Sequence, residues 1–143
     1  MVTSSTDEGQ KGHKYVCSSL QRKGGGFMSL WEVHKPTTHM RRLCESLGAN
    51  YSIKAIDLEC VIYRDLGNGY DIEVSGMNTS SERRKATIYL WKDRKIIVRG
   101  LKGVPQDSIH KYVEELKTFA EGLTDDDFDS GGFYKGKRYI HVS

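Results

Sequence analysis

The sequence predicts an α+β fold: a single domain in the order α-β-β-β-β-α, with a four-stranded antiparallel meander and two helices packed on one of its faces. Three observations predict it. Residues 37–47 and 107–123 carry apolar side chains at helical spacing. Between them, residues 55–101 alternate apolar and polar at the period of two that half-buried strands need. Clusters at Gly67-Asn68-Gly69 and Lys92-Asp93-Arg94 cut that stretch into strand lengths. A helix with one apolar stripe must cover something apolar, and a meander with one aliphatic face supplies it.

The first helix begins near Pro36 or Thr37, because Pro suits a first turn and Thr can cap. Met40, Leu43, Cys44 and Leu47 make its apolar face, and Gly48 fits the left-handed residue that ends it. The first strand is expected over residues 55–65, with Ile56, Leu58, Cys60 and Ile62 inward and Asp57, Glu59, Val61 and Tyr63 outward. For the next hairpin, a two-residue Asn-Gly turn pairs Tyr63 with Val74, whereas a three-residue loop with Gly69 left-handed pairs Ile62 with Val74. The second is preferred, since it gathers the aliphatics of both strands on one face.

The second strand covers 70–77, with Ile72 and Val74 inward, and a polar, basic loop follows over 78–85. The third covers 86–91, with Ala86, Ile88 and Leu90 inward; the fourth covers 95–101, with Ile96 and Val98 inward. The second helix is expected from an N-cap at Asp107 and carries Ile109, Val113, Leu116, Ala120 and Leu123. The domain is set at 27–123, after a flexible N-terminal segment at 1–26 and before an acidic, then basic, tail at 124–143. Short strands are expected within 13–20 and 137–142, and Phe27, Leu30 and Trp31 belong to an apolar run that docks on the domain.

The length of 143 residues suits one domain. No apolar run approaches the roughly 20 residues of a membrane span, and the first residues lack the apolar centre of a signal peptide. Cys17, Cys44 and Cys60 are odd in number; Cys44 and Cys60 fall on apolar faces, so reduced, buried thiols in the cytoplasm or nucleus are expected.

Charge is unevenly distributed. Residues 82–102 hold eight bases and two acids, a net +6, while 107–129 hold eight acids and two bases, a net −6. In the expected register the outer sheet face carries Tyr63, Tyr89, Trp91, Lys95, Arg99, Glu73, Thr87 and Ile97, with Arg83, Arg84 and Lys85 in the adjoining loop. Aromatics interleaved with bases stack on unpaired nucleobases and hold phosphates. Covering by the N-terminal segment or self-association would use the same residues, since Tyr, Trp and Arg are enriched at interfaces. The layout resembles in topology that of double-stranded-RNA-binding domains and Alu-RNA-binding proteins. The second helix here is acidic and lacks the Lys-Lys-x-Ala-Lys run of the former, so no family follows.

Other constellations are weaker. His13, Cys17, His34, His39 and Cys44 lack the paired spacing of a zinc site. Asp125-x-Asp127-x-Asp129 opens like a calcium loop, but Ser130 and Gly136 occupy the positions of its Gly and final Glu. Arg22-Lys23-Gly24-Gly25-Gly26 reads as a linker, without the ending of a nucleotide-binding loop. Asp57, Glu59, Asp71 and Glu73 gather carboxylates on the outer face, but an open sheet offers no cleft, so they are expected to be solvated. No catalytic residue, metal or cofactor is assigned. The expected function is a non-enzymatic interaction module whose partner is RNA, an acidic protein or a second copy of the chain. The alternative is a small enzyme with a pocket between the sheet and the N-terminal segment.

Overall fold

The computed structural model describes residues 15–16 and 35–142. The elements are β1 (Tyr15–Val16), α1 (Thr38–Leu47), β2 (Ser52–Ile56), β3 (Glu59–Gly67), β4 (Tyr70–Ser75), β5 (Ala86–Lys92), β6 (Ile96–Val104), α2 (Ile109–Glu121) and β7 (Tyr139–His141). The class is α+β with a mostly antiparallel sheet, and the strands stand in it in sequence order. Strands β2 to β6 are antiparallel neighbours, whereas β1 and β7 run parallel to β2 and β6 at the two edges.

Both helices cover one face. Met40 and Cys44 of α1 and Ile109, Val113, Leu116 and Ala120 of α2 share one buried cluster with Ile53, Ile62, Ile72, Val74, Ile88, Leu90 and Val98 of the sheet. Thr37 caps α1 by accepting a hydrogen bond from the Met40 amide at 3.1 Å, and Gly48 ends the helix at φ 120°. Cys44 and Cys60 are buried, as their apolar positions implied.

Residues 55–65 are not one strand. Asp57 and Leu58, at φ 50° and 69°, form a left-handed two-residue turn between β2 and β3. Leu58 therefore projects from the turn, 61% exposed, and Ile56 pairs with Glu59 on the outer side instead of pointing inward. A turn of this kind without glycine carries no sequence signal, because Leu ordinarily avoids positive φ.

At the next hairpin both expectations hold together. Ile62 pairs with Val74, yet the turn is the two-residue Asn68-Gly69, both at positive φ, closed by a Gly67–Tyr70 pair. An irregularity between Asp65 and Gly67 absorbs the extra residue. Two further bulges interrupt β6. Val98 is the additional residue opposite Leu90 and Trp91, and beyond it Leu90 pairs with Arg99.

Two boundaries also differ. Asp107 is not the cap of α2; it lies in a 3₁₀ turn, Gln106–Ser108, that leads into the helix. The stretch 124–142, expected as an acidic, then basic, tail, keeps Asp125, Asp126 and Asp129 exposed but also packs on the domain. Phe128, Tyr134, Ile140 and Val142 pack on the core, and β7 adds a strand beside β6. Its aromatic and aliphatic residues outweigh the acidic composition of its first turn, where Asp127 instead caps Thr124 at 2.8 Å. Strand β1 lies within the expected 13–20, whereas Phe27, Leu30, Trp31, the 22–26 glycine run, His13, Cys17 and His34 lie outside the described residues. Among the described residues no helix is long and apolar enough to cross a membrane.

Candidate functional site

Alternation along β2 to β5 turns Lys54, Tyr63, Asp71, Glu73, Tyr89 and Trp91 to the face opposite the helices. Two cross-strand rows organise it. Tyr63, Glu73, Tyr89, Gly100 and Tyr139 follow one another across β3 to β7, while Asp65, Asp71, Trp91 and Ile97 form the row beside them. Gly100 leaves room where a side chain would collide: an added Cβ would lie 2.8 Å from Tyr139 and 3.2 Å from Tyr89. The absent side chain lets the two tyrosines close over the sheet.

Glu73 sits at the centre, bracketed by Tyr63 and Tyr89, and accepts a hydrogen bond from Trp91 Nε1 at 3.1 Å. Burial pushes its carboxyl up to about 7, and Glu59, Asp57 and Asp71 act in the same direction; the Trp91 bond offsets this only in part. Asp71 is buried too. Its Oδ2 accepts from the Tyr63 hydroxyl at 2.8 Å, and Arg94 Nε stands 3.9 Å away. Burial raises the Asp71 carboxyl against the lowering effects of Tyr63 and Arg94. Burial and the bond to Asp71 push the Tyr63 hydroxyl up to about 12. Lys54 Nζ lies 3.8 Å over the Tyr63 ring, a cation–π contact.

The sequence-derived site residues therefore divide. Tyr63, Tyr89 and Trp91 share the face, but the bases do not join them. Arg99 was expected outward; the bulge at Val98 turns it to the helix side, where it lies 4.1 Å over the Phe119 ring and donates to the Lys137 carbonyl at 3.2 Å. Lys95 sits exposed in the β5–β6 turn. Arg83, Arg84 and Lys85 are exposed in the β4–β5 connection, whose backbone is held by Gln106 Nε2 donating to the carbonyls of Ser81 and Arg84, both at 3.0 Å. Beside them, a cleft of about 600 Å³ includes His39, Arg83 and Lys85 but also Glu82 and Asp107, so its charges offset.

Two of the carboxylates were the residues whose state sequence reasoning missed. Asp57 and Glu59 are exposed as expected, but Asp71 is buried and Glu73 partly buried, and Val61 on the same face is only 1% exposed. Strand alternation placed Glu73 outward but said nothing of desolvation there. Among the described residues no three His, Cys, Asp or Glu side chains are grouped to hold a metal ion. His39 instead bonds Gln106 at 2.8 Å, and Asp129 Oδ1 accepts from the amides of Gly131 and Phe133, both at 2.9 Å, within its own turn. Comparison of the chain with protein-family models, with curated proteins and with solved structures gives no match in any of the three.

Proposed function

We propose that the chain is a non-enzymatic interaction module that takes a cationic segment of a partner protein against its outer sheet face. The observation that carries this reading is the desolvated Glu73 carboxylate set among Tyr63, Tyr89 and Trp91. A partly buried carboxylate flanked by aromatic side chains suits an ammonium or guanidinium group, which gains a charge-assisted hydrogen bond and cation–π contact together. The balance of charge favours a cation over a phosphate. Glu59, Asp65, Asp71 and Glu73 face Lys54 alone on β2, β3 and β4, so RNA on this face would meet mostly like charge.

The RNA and acidic-protein readings are supported by a different place, the exposed Arg83-Arg84-Lys85 loop. In a self-associating chain that loop would be the cationic segment, presented by a second copy. The enzyme reading requires the N-terminal segment, outside the described residues.

The test is fluorescence anisotropy with three labelled probes, a Lys/Arg-rich peptide, an acidic peptide and a mixed RNA, each at low and high salt. The cationic peptide should bind, lose affinity with salt, and weaken roughly tenfold on Trp91→Ala. Binding of RNA or the acidic peptide without the cationic one, abolished by replacing Arg83, Arg84 and Lys85 with Ala, would overturn the reading in favour of the loop.

A further inference from the structure

At the end of the outer face, the Asn68-Gly69 and Asp93-Arg94 turns enclose a cleft of about 410 Å³. Its walls include Tyr63, Asp65, Asn68, Asp71, Asp93 and Arg94, three carboxylates against one guanidinium, with the Lys54 ammonium beside them over the Tyr63 ring and acting on Asp65 and Asp71. Asp65 and Asp71 are direct cross-strand partners. Like charges so placed repel unless a cation stands between or beside them.

Asp71 is the unusual member. Its side chain is only 10% exposed, and Oδ1 is buried without a hydrogen-bond partner among the described residues, while Oδ2 accepts from Tyr63. A carboxylate oxygen held in that state forfeits the donors water would give it. Arg94 does not fill the need. It is 68% exposed, and its Nε, 3.9 Å from Oδ2, lies beyond hydrogen-bond distance. A guanidinium or ammonium group carries the N–H donors that such a carboxylate oxygen lacks.

We propose that this cleft is a seat for an organic cation, a guanidinium or primary ammonium group, anchored by Asp71 and held at the rim by Asp65 and Asp93. Arg94 occupies the mouth as a loosely bound internal stand-in that the ligand displaces. The planar guanidinium fork can engage two carboxylate oxygens at once, whereas Arg94 Nε stands 3.9 Å from Oδ2. The seat adjoins Glu73 and Trp91 but does not require a partner protein to bind there, so it stands without the interaction-module reading.

The probe is methylguanidinium, titrated into the full chain and followed by amide NMR shifts against sodium chloride at equal ionic strength. Saturable shifts are expected at Gly67, Asn68, Gly69, Asp71, Asp93 and Arg94. Asp71→Asn, which keeps an acceptor for Tyr63, should abolish saturation. Asp93→Asn, an exposed change that spares the sheet, should weaken binding, and Arg94→Ala should tighten it roughly threefold by removing the competing charge. Shifts no larger than those with sodium chloride would overturn the proposal, as would binding unchanged in both Asp variants. Methylguanidinium binding without cationic-peptide binding would sink the peptide reading and leave this one standing.

Discussion

Replacing Glu73 with Gln tests whether the outer face is as desolvated as its geometry implies. In the unfolded chain a glutamate ionises near its ordinary value of 4.5, whereas in the folded protein burial pushes Glu73 up to about 7. Between those values the folded state holds more protons than the unfolded one, so raising the pH destabilises the fold. Each pH unit corresponds to about 1.4 kcal/mol, and ionised Glu73 therefore costs at most roughly 3 kcal/mol above pH 7. Below about pH 4.5 both states are protonated and the cost is absent. Gln has no charge to desolvate and keeps an oxygen for Trp91 Nε1, though its extra N–H donors cost about 1 kcal/mol in a half-buried position. The variant should be about 2 kcal/mol more stable than the parent at pH 8 and about 1 kcal/mol less stable at pH 4. Urea unfolding across that range, followed by tryptophan fluorescence, measures the difference directly. A stability difference that stays flat with pH would refute the desolvation of Glu73 and weaken the cation-binding reading with it.

Two further outcomes follow from the helix side and the first turn. Arg64 is buried beneath α2 and donates to Glu114 at 2.6 Å and to the Tyr51 hydroxyl at 3.3 Å; Glu114→Gln should cost about 1 kcal/mol in denaturant unfolding, because it removes the counter-charge of that guanidinium while Glu114 itself is 45% exposed and screened by water. The Arg64 hydrogen bond holds the Glu114 carboxyl below its ordinary value, so the contribution is present above pH 4.5 and fades as pH falls through the lowered value, and an unaltered acid limb in the variant would contradict it. Leu58→Gly should raise stability by about 1 kcal/mol, since it relieves a positive φ of 69° at an exposed position. A fall in melting temperature would show that the Leu58 side chain contributes more than its exposure suggests.

Along α2 and across the second hairpin, where an unbroken period set the burial, the sequence alone was sufficient. The stripe Ile109, Val113, Leu116 and Ala120 is buried as its spacing required, and Ile62 meets Val74 because only that register puts the aliphatics of both strands together. The thiols Cys44 and Cys60, and the cap at Thr37, follow from the same local rules. Tertiary structure decided what those rules cannot carry across strands. The single extra residue at Val98 moved Arg99 to the opposite face, which a strict period of two does not foresee. The turn at Asp57-Leu58 formed without glycine because pairing Ala55 with Cys60 and Ile53 with Ile62 outweighs a strained φ. The ionisation of Asp71 and Glu73 depends on how much water reaches an outer face, a property of the assembled sheet that no residue's neighbours in sequence encode. That is why a face expected to present bases to RNA, an acidic protein or a second copy of the chain carries, once folded, a buried Asp71 and a partly buried Glu73.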